Sequence, residues 1–172
     1  EIKQILVTTG TVTSAKIMDQ RLGGKALHQF LPIDVPIFIE RFLNHWKPSL
    51  SIFVESEIWP NFISALSRRN TKLMILNGRM TVKSFNNWLR FKQTASKLFK
   101  NFDLCCAQNS DSAFFYENLG IKNTIYTGNL KFSSEPKKTD NKKLQILKKM
   151  VRNRKVLLAA STHKGEEEII AN

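Results

Sequence analysis

The sequence predicts an α/β protein built on a parallel sheet, and three observations predict it. Short apolar runs of strand length alternate with helical patterns, the links between them are short, and no internal repeat interrupts the pattern. Residues 5–9 read as a strand and 13–22 as a helix. Residues 26–31 form the next strand, before a helix over 35–46 whose Pro36 falls in the first turn, where its missing N–H costs nothing. The third strand is 50–54, with a helix over 58–69 behind it. Residues 72–76 are the fourth strand, followed by a long helical stretch, 82–101, open to a break. The fifth is 103–107, with a helix over 112–119 that Gly120 stops. Residues 124–127 make the sixth. Such alternation is the signature of a parallel sheet covered on both faces.

After Phe132 the texture changes. Residues 1–132 form the first domain, and 133–141, polar with one Pro, read as a linker. Residues 142–172 hold a basic helix (142–151), an apolar strand (156–160) and a further helix after Gly165. A lone strand between two helices cannot bury both its faces. This segment is therefore expected to be the start of a second α/β domain, and the chain a piece of a longer one.

Of the 172 residues, 42% are hydrophobic and 24% charged, ordinary globular composition that argues against wholesale disorder. No apolar run approaches the roughly 18 residues of a membrane span. Cys105 and Cys106 are adjacent, and neighbours in a strand face opposite ways, so they read as core thiols in a reducing compartment. The net charge is +13, unevenly placed. Residues 1–67 are neutral, 68–100 carry nine basic groups and no acid, and 131–155 carry ten basic groups against two acids. Uneven charge of this kind points to a polyanion, either nucleic acid or an anionic membrane surface, or else to a solvated lysine-rich exterior.

In open α/β sheets ligands bind beyond the carboxyl ends of the strands. Glu55, Glu57, Arg79, Asn109, Asn129 and Lys131 all fall there, a set that suits a ligand carrying anionic and hydroxyl groups. Glu55 leaves its strand with no capping role. Glu57 has two readings: a ligand contact, or a charge complementing a helix N-terminus beside a capping Ser56. Thr9, Gly10 and Thr11 lie in a small-residue loop whose N–H groups and hydroxyls suit a phosphate or carboxylate, without the spacing of a P-loop or dinucleotide fingerprint. His163, just ahead of three glutamates, is a ligand contact or a structural histidine. Taking about 100° per residue along a helix, Lys83, Arg90 and Lys97 share a stripe opposite Trp88, Phe91, Ala95, Leu98 and Phe102. That is the pattern of an interfacial membrane helix, and equally of a core-facing helix with a solvated basic back.

Several segments together, in this order, resemble one family. They are Ile5-Leu-Val-Thr-Thr-Gly-Thr-Val-Thr-Ser-Ala15, His28-Gln-Phe-Leu-Pro-Ile-Asp34, Glu55-Ser-Glu-Ile-Trp-Pro-Asn61, Asn77-Gly-Arg-Met80, Ala107-Gln-Asn109, Thr127-Gly-Asn-Leu-Lys-Phe132 and Ser161-Thr-His-Lys-Gly-Glu-Glu167. The resemblance is to the 3-deoxy-D-manno-octulosonic acid (Kdo) transferases of lipopolysaccharide synthesis, and it covers essentially the whole chain. It implies the Rossmann-like N-terminal domain of a two-domain, B-type glycosyltransferase plus the start of its nucleotide-sugar domain. Such enzymes move Kdo from CMP-Kdo to a lipid A precursor, with inversion and without a metal or other cofactor, at the cytoplasmic face of the bacterial inner membrane.

Carried over by motif, Glu55 and Lys131 are the transition-state stabilisers. Thr9, Gly10, Thr11, Glu57, Arg79, Asn109, Asn129 and His163 are expected to bind substrate, and Lys83, Arg90 and Lys97 to meet the membrane surface. The general base of the family, a glutamate in a Ser-Val-Gly-Glu-like loop, its membrane anchor and its CMP-holding motifs have no counterpart in these residues. A non-catalytic remnant is the competing reading. A nucleic-acid binder is the remote one, since single-strand binders interleave aromatics with basic groups on an open surface.

Overall fold

The computed structural model describes residues 4–133, 139–152 and 154–171. The chain divides into two compact units, Glu1–Ser133 and Ser134–Asn172.

The first unit follows the expected order: β1 Leu6–Thr9, α1 Val12–Leu22, β2 Leu27–Phe30, α2 Pro36–Trp46, β3 Leu50–Val54, α3 Pro60–Arg68, β4 Lys72–Gly78, α4 Val82–Leu89, α5 Lys92–Phe99, β5 Leu104–Ala107, α6 Ser110–Leu119 and β6 Thr124–Tyr126, closed by a 3-10 turn, Leu130–Ser133. Every strand pair is parallel. The strands form not one sheet but two, β1-β2 and β3-β4-β5-β6.

The four-stranded sheet runs in chain order, so each right-handed crossover drops its helix on the same side. Helix α5 touches α3 and α6 there, while α3 packs on β4 and α6 on β5 and β6. Phe53, Leu73, Ile75, Cys105 and Ala107 point into that layer against Ile63, Leu66, Phe99, Tyr116 and Leu119, all buried. The strand residues between them, Leu50, Ile52, Val54 and Ile125, are each about half exposed on the opposite face. Cover on both faces is therefore corrected: among the described residues this sheet is covered on one. Both cysteines are buried and free, as core thiols should be. Burial pushes the Cys105 thiol up to about 12, its neighbour Cys106 adding to the shift.

The long helical stretch is also two helices rather than one. Phe85 of α4 stacks on Phe115 of α6 (centroids 4.5 Å apart), while Trp88 meets Phe99 edge-on at 5.2 Å. Ala95, Leu98 and Phe99 of α5 enter the core. The chain satisfies both packings by turning at Arg90 and Phe91, which leaves Phe91 70% exposed. The single stripe of Lys83, Arg90 and Lys97 is thereby corrected, and most of the aromatic face opposite it is core. The acid-free block is partly neutralised across the fold: Arg68 and Arg69 pair with Glu40, and Lys72 with Asp103.

The second unit holds α7 (Asn141–Val151), N-capped by Asp140, and the short α8 (Glu166–Ala171). Residues 156–160 are exposed and form no strand, which corrects that expectation; a strand needs a neighbour for its ladder, and none of the described residues of this unit supplies one. Most of the expected linker, 134–138, lies outside the described residues.

Two outcomes follow from this packing. A Cβ at Gly78 would lie 3.0 Å from both Ile75 Cγ2 and Tyr116 Cε2, and 3.2 Å from Cys105 Sγ. Gly78→Ala is expected to lower stability by about 1–3 kcal/mol in urea unfolding, as overpacking does; an unchanged midpoint would contradict the tight approach. Asp103 accepts from the Leu73 N–H at 2.9 Å and from Lys72 Nζ at 2.9 Å, and these hold its carboxyl below the ordinary range. A carboxylate with a depressed folded value stabilises above its unfolded value, near 4, and that contribution fades as pH falls through the folded value. The urea midpoint of Asp103→Asn should therefore sit below wild type at pH 7 and converge with it as pH falls below about 4.

Candidate functional site

Glu55 is the first residue past β3 and adopts a left-handed backbone, φ 59°. Three contacts hold this uncommon conformation. The Glu55 N–H donates to the Leu76 carbonyl at 3.0 Å, continuing the β3-β4 ladder by one bond. Its carbonyl accepts from the Tyr116 hydroxyl at 3.4 Å, and its Oε1 lies 3.2 Å from Lys131 Nζ. The pair is open to solvent, with 72% of the Lys131 side chain and 38% of the Glu55 side chain exposed. An ion pair this exposed contributes only about 0–1 kcal/mol to stability. It leaves two opposite charges within reach of a ligand.

Lys131 rides on the 3-10 turn after β6. The Leu130 N–H donates to Asn77 Oδ1 at 3.2 Å, and the Lys131 N–H donates to Asn129 Oδ1 at 3.0 Å. Asn129, expected to bind substrate, thus organises the turn that carries the lysine. Arg79 is exposed just past β4, and its carbonyl accepts from Tyr116 Oη at 3.2 Å. Tyr116 is fully buried, and burial raises its hydroxyl's pKa, so it serves as a fixed donor to two loops. Ser112, also fully buried, accepts from the Met80 N–H at 3.0 Å and ties the same loop to α6.

Other expected residues turn out to have local partners. Asn109 caps α6, accepting from the Ser112 N–H at 2.7 Å. Thr11 caps α1 through the Ser14 N–H at 3.2 Å, and Thr9 Oγ1 lies 2.9 Å from His28 Nε2. Gly10, between them, has open space where a Cβ would stand. His163 lies in the second unit, where its N–H donates to Glu166 Oε2 at 2.9 Å.

The segment from Glu55 to Asn61 departs from its capping reading. Glu57 Oε2 accepts from the indole N–H of Trp59 at 2.9 Å, and α3 begins at Pro60, after Trp59. Neither Ser56 nor Glu57 caps that helix. Asp34 does, from the loop after β2: its carboxylate accepts from the N–H groups of Asn61 (3.1 Å) and Phe62 (2.9 Å). Asn61 Nδ2 donates back to the Asp34 carbonyl at 2.8 Å. This reciprocal clasp joins the loops after β2 and β3. The sequence signal for it was weak, because the two ends lie 27 residues apart.

Residues 1–134 match the family described as 3-Deoxy-D-manno-octulosonic-acid transferase (kdotransferase). The chain is 41% identical over 167 residues to the 3-deoxy-D-manno-octulosonic acid transferase of Rickettsia typhi, an alignment covering 97% of this chain and 36% of that protein. It is 33% identical over 169 residues to the enzyme of the same name from Haemophilus influenzae, covering 96% and 40% respectively. A probable mitochondrial 3-deoxy-D-manno-octulosonic acid transferase of Arabidopsis thaliana is 35% identical over 173 residues, covering 96% and 39%. The chain thus spans less than half the length of these relatives.

Loss of the clasp should be measurable. Asp34→Ala is expected to lower stability by about 1 kcal/mol, as loss of a helix N-cap does, and to shift the amide resonances of Asn61 and Phe62. Ser56→Ala should change neither; equal effects from the two variants would contradict the assignment.

Proposed function

The chain belongs to the 3-deoxy-D-manno-octulosonic-acid transferase family, and from that premise we propose that the protein it forms part of moves Kdo from CMP-Kdo to a lipid A precursor. The observation that carries the reading is the Glu55–Lys131 pair, 3.2 Å apart at the carboxyl edge of the sheet, where open α/β folds take their ligands.

In the transfer, the bond between the anomeric carbon of Kdo and the CMP phosphate oxygen breaks. A bond to an acceptor hydroxyl forms, and that hydroxyl's proton passes to a general base. Positive charge grows on the sugar ring while negative charge grows on the departing phosphate. A carboxylate such as Glu55 steadies the first, and an ammonium such as Lys131 offsets the second or the Kdo carboxylate. Attack opposite the departing CMP inverts the anomeric centre, and charge stabilisation of this kind requires no metal. Arg79, Asn129, Asn109, Glu57 and the Thr9–Thr11 loop are the candidates for orienting the substrates.

For location, we assign the protein to the cytoplasmic face of the inner membrane. Among the described residues no helix is long and apolar enough to cross a membrane. Lys83 on α4, Arg90 at the turn and Lys97 on α5, on two helices rather than one stripe, are exposed like Phe91 beside them. They are the groups we assign to an anionic leaflet, at about 1 kcal/mol for each basic group close to it.

Glu55→Gln and Lys131→Met in the complete transferase are each expected to lower kcat for transfer from CMP-Kdo by about 100-fold or more, the range seen for lost charge-stabilising groups. Unchanged turnover in both would refute the site. Binding to vesicles containing an anionic lipid should weaken in Arg90→Glu and with added salt; undiminished binding would remove the membrane surface assignment.

A further inference from the structure

We propose that Asn77 is the positioning residue that brings Glu55 and Lys131 together, an inference that rests on the reading of that pair as the catalytic charges. Asn77 is 3% exposed and sits at the carboxyl end of β4 with φ 54°, a left-handed conformation that asparagine tolerates better than most residues. The β4-β5 register slips there, Leu76 pairing with Cys106 and Gly78 with Ala107, so Asn77 is the extra residue of a bulge. Bulges occur beside active sites, where they re-aim side chains.

Three consecutive residues at this bulge hold three loops. The Leu76 carbonyl accepts from the Glu55 N–H at 3.0 Å, and the Gly78 carbonyl accepts from the Gln108 N–H at 2.9 Å. Between them, Asn77 Oδ1 accepts from the Leu130 N–H at 3.2 Å, at the first residue of the turn that carries Lys131. The β3 and β6 edges of the sheet do not touch each other, since β4 and β5 lie between them. The Asn77 carboxamide reaches over that distance to the turn after β6, while the backbone beside it fixes Glu55. Losing the acceptor frees the turn and lets Lys131 drift from the carboxylate without altering the groups that meet substrate.

The test uses Asn77→Gly, which keeps the left-handed backbone and removes the acceptor, and Asn77→Asp, which keeps an acceptor oxygen. Leu130→Pro removes the same hydrogen bond from the donor side and guards against misfolding of the glycine variant. In the chain, amide exchange at Leu130 is expected to speed up about 10-fold in Asn77→Gly and to return towards wild type in Asn77→Asp. In the complete transferase, Asn77→Gly and Leu130→Pro should each lower kcat about 10- to 100-fold, the cost of a small misplacement. KM should change little, Asn77→Asp should recover much of the rate, and the Asn77→Gly/Leu130→Pro double variant should lose no more than either single one.

Unchanged Leu130 exchange in Asn77→Gly, no rescue by Asn77→Asp, or additive losses in the double variant would each overturn the assignment. Glu55→Gln serves as the benchmark. If it lowers kcat about 100-fold or more while Asn77→Gly leaves kcat unchanged, positioning by Asn77 is wrong and the catalytic pair stands. If Glu55→Gln leaves transfer intact, the reading of the pair fails and this inference falls with it.

Discussion

The candidate site depends on the backbone at the end of β4. Leu76, Asn77 and Gly78 each hold a different loop, by carbonyl, carboxamide and carbonyl in turn. The bulge permits this by turning a side chain that would otherwise alternate across the sheet towards the 3-10 turn after β6. Below it, Gly78 leaves room for Tyr116 and Cys105, and Tyr116 in turn holds the carbonyls of Glu55 and Arg79. Core packing and site geometry meet at these three residues.

The charged pair itself adds little to the fold. Both side chains are substantially exposed and their attraction is screened by water and salt. Its placement is maintained instead by buried neutral groups: Asn77, Ser112 and Tyr116 are 3%, 0% and 0% exposed. Buried polar groups that find partners rigidify their surroundings. Charges that act on a ligand can therefore stay accessible while their supports stay dry.

Much of this was legible in the sequence. Apolar strand-length runs alternating with helical patterns placed all six strands of the first unit, and the segments around Glu55 and Lys131 located the two charges that the structure brings within 3.2 Å. What escaped depended on contacts distant in sequence. The break at Arg90–Phe91 follows from aromatic packing on α6 and α5, not from a proline or glycine. The cap on α3 comes from Asp34, where Ser56 and Glu57 offered a nearer candidate. Residues 156–160 are as apolar as any strand here, yet they form none, and among the described residues no neighbour pairs with them. Asn77-Gly78 reads locally as a turn signal, and nothing local shows that its carboxamide reaches Leu130, 53 residues on.

The most direct test of the central claim is a double-mutant cycle on transfer from CMP-Kdo, combining Glu55→Gln with Lys131→Met in the complete transferase. Groups that act as one unit give strongly non-additive losses. A double variant no slower than the slower single one is the predicted result. Losses that multiply would show that the two charges act independently and would contradict the account.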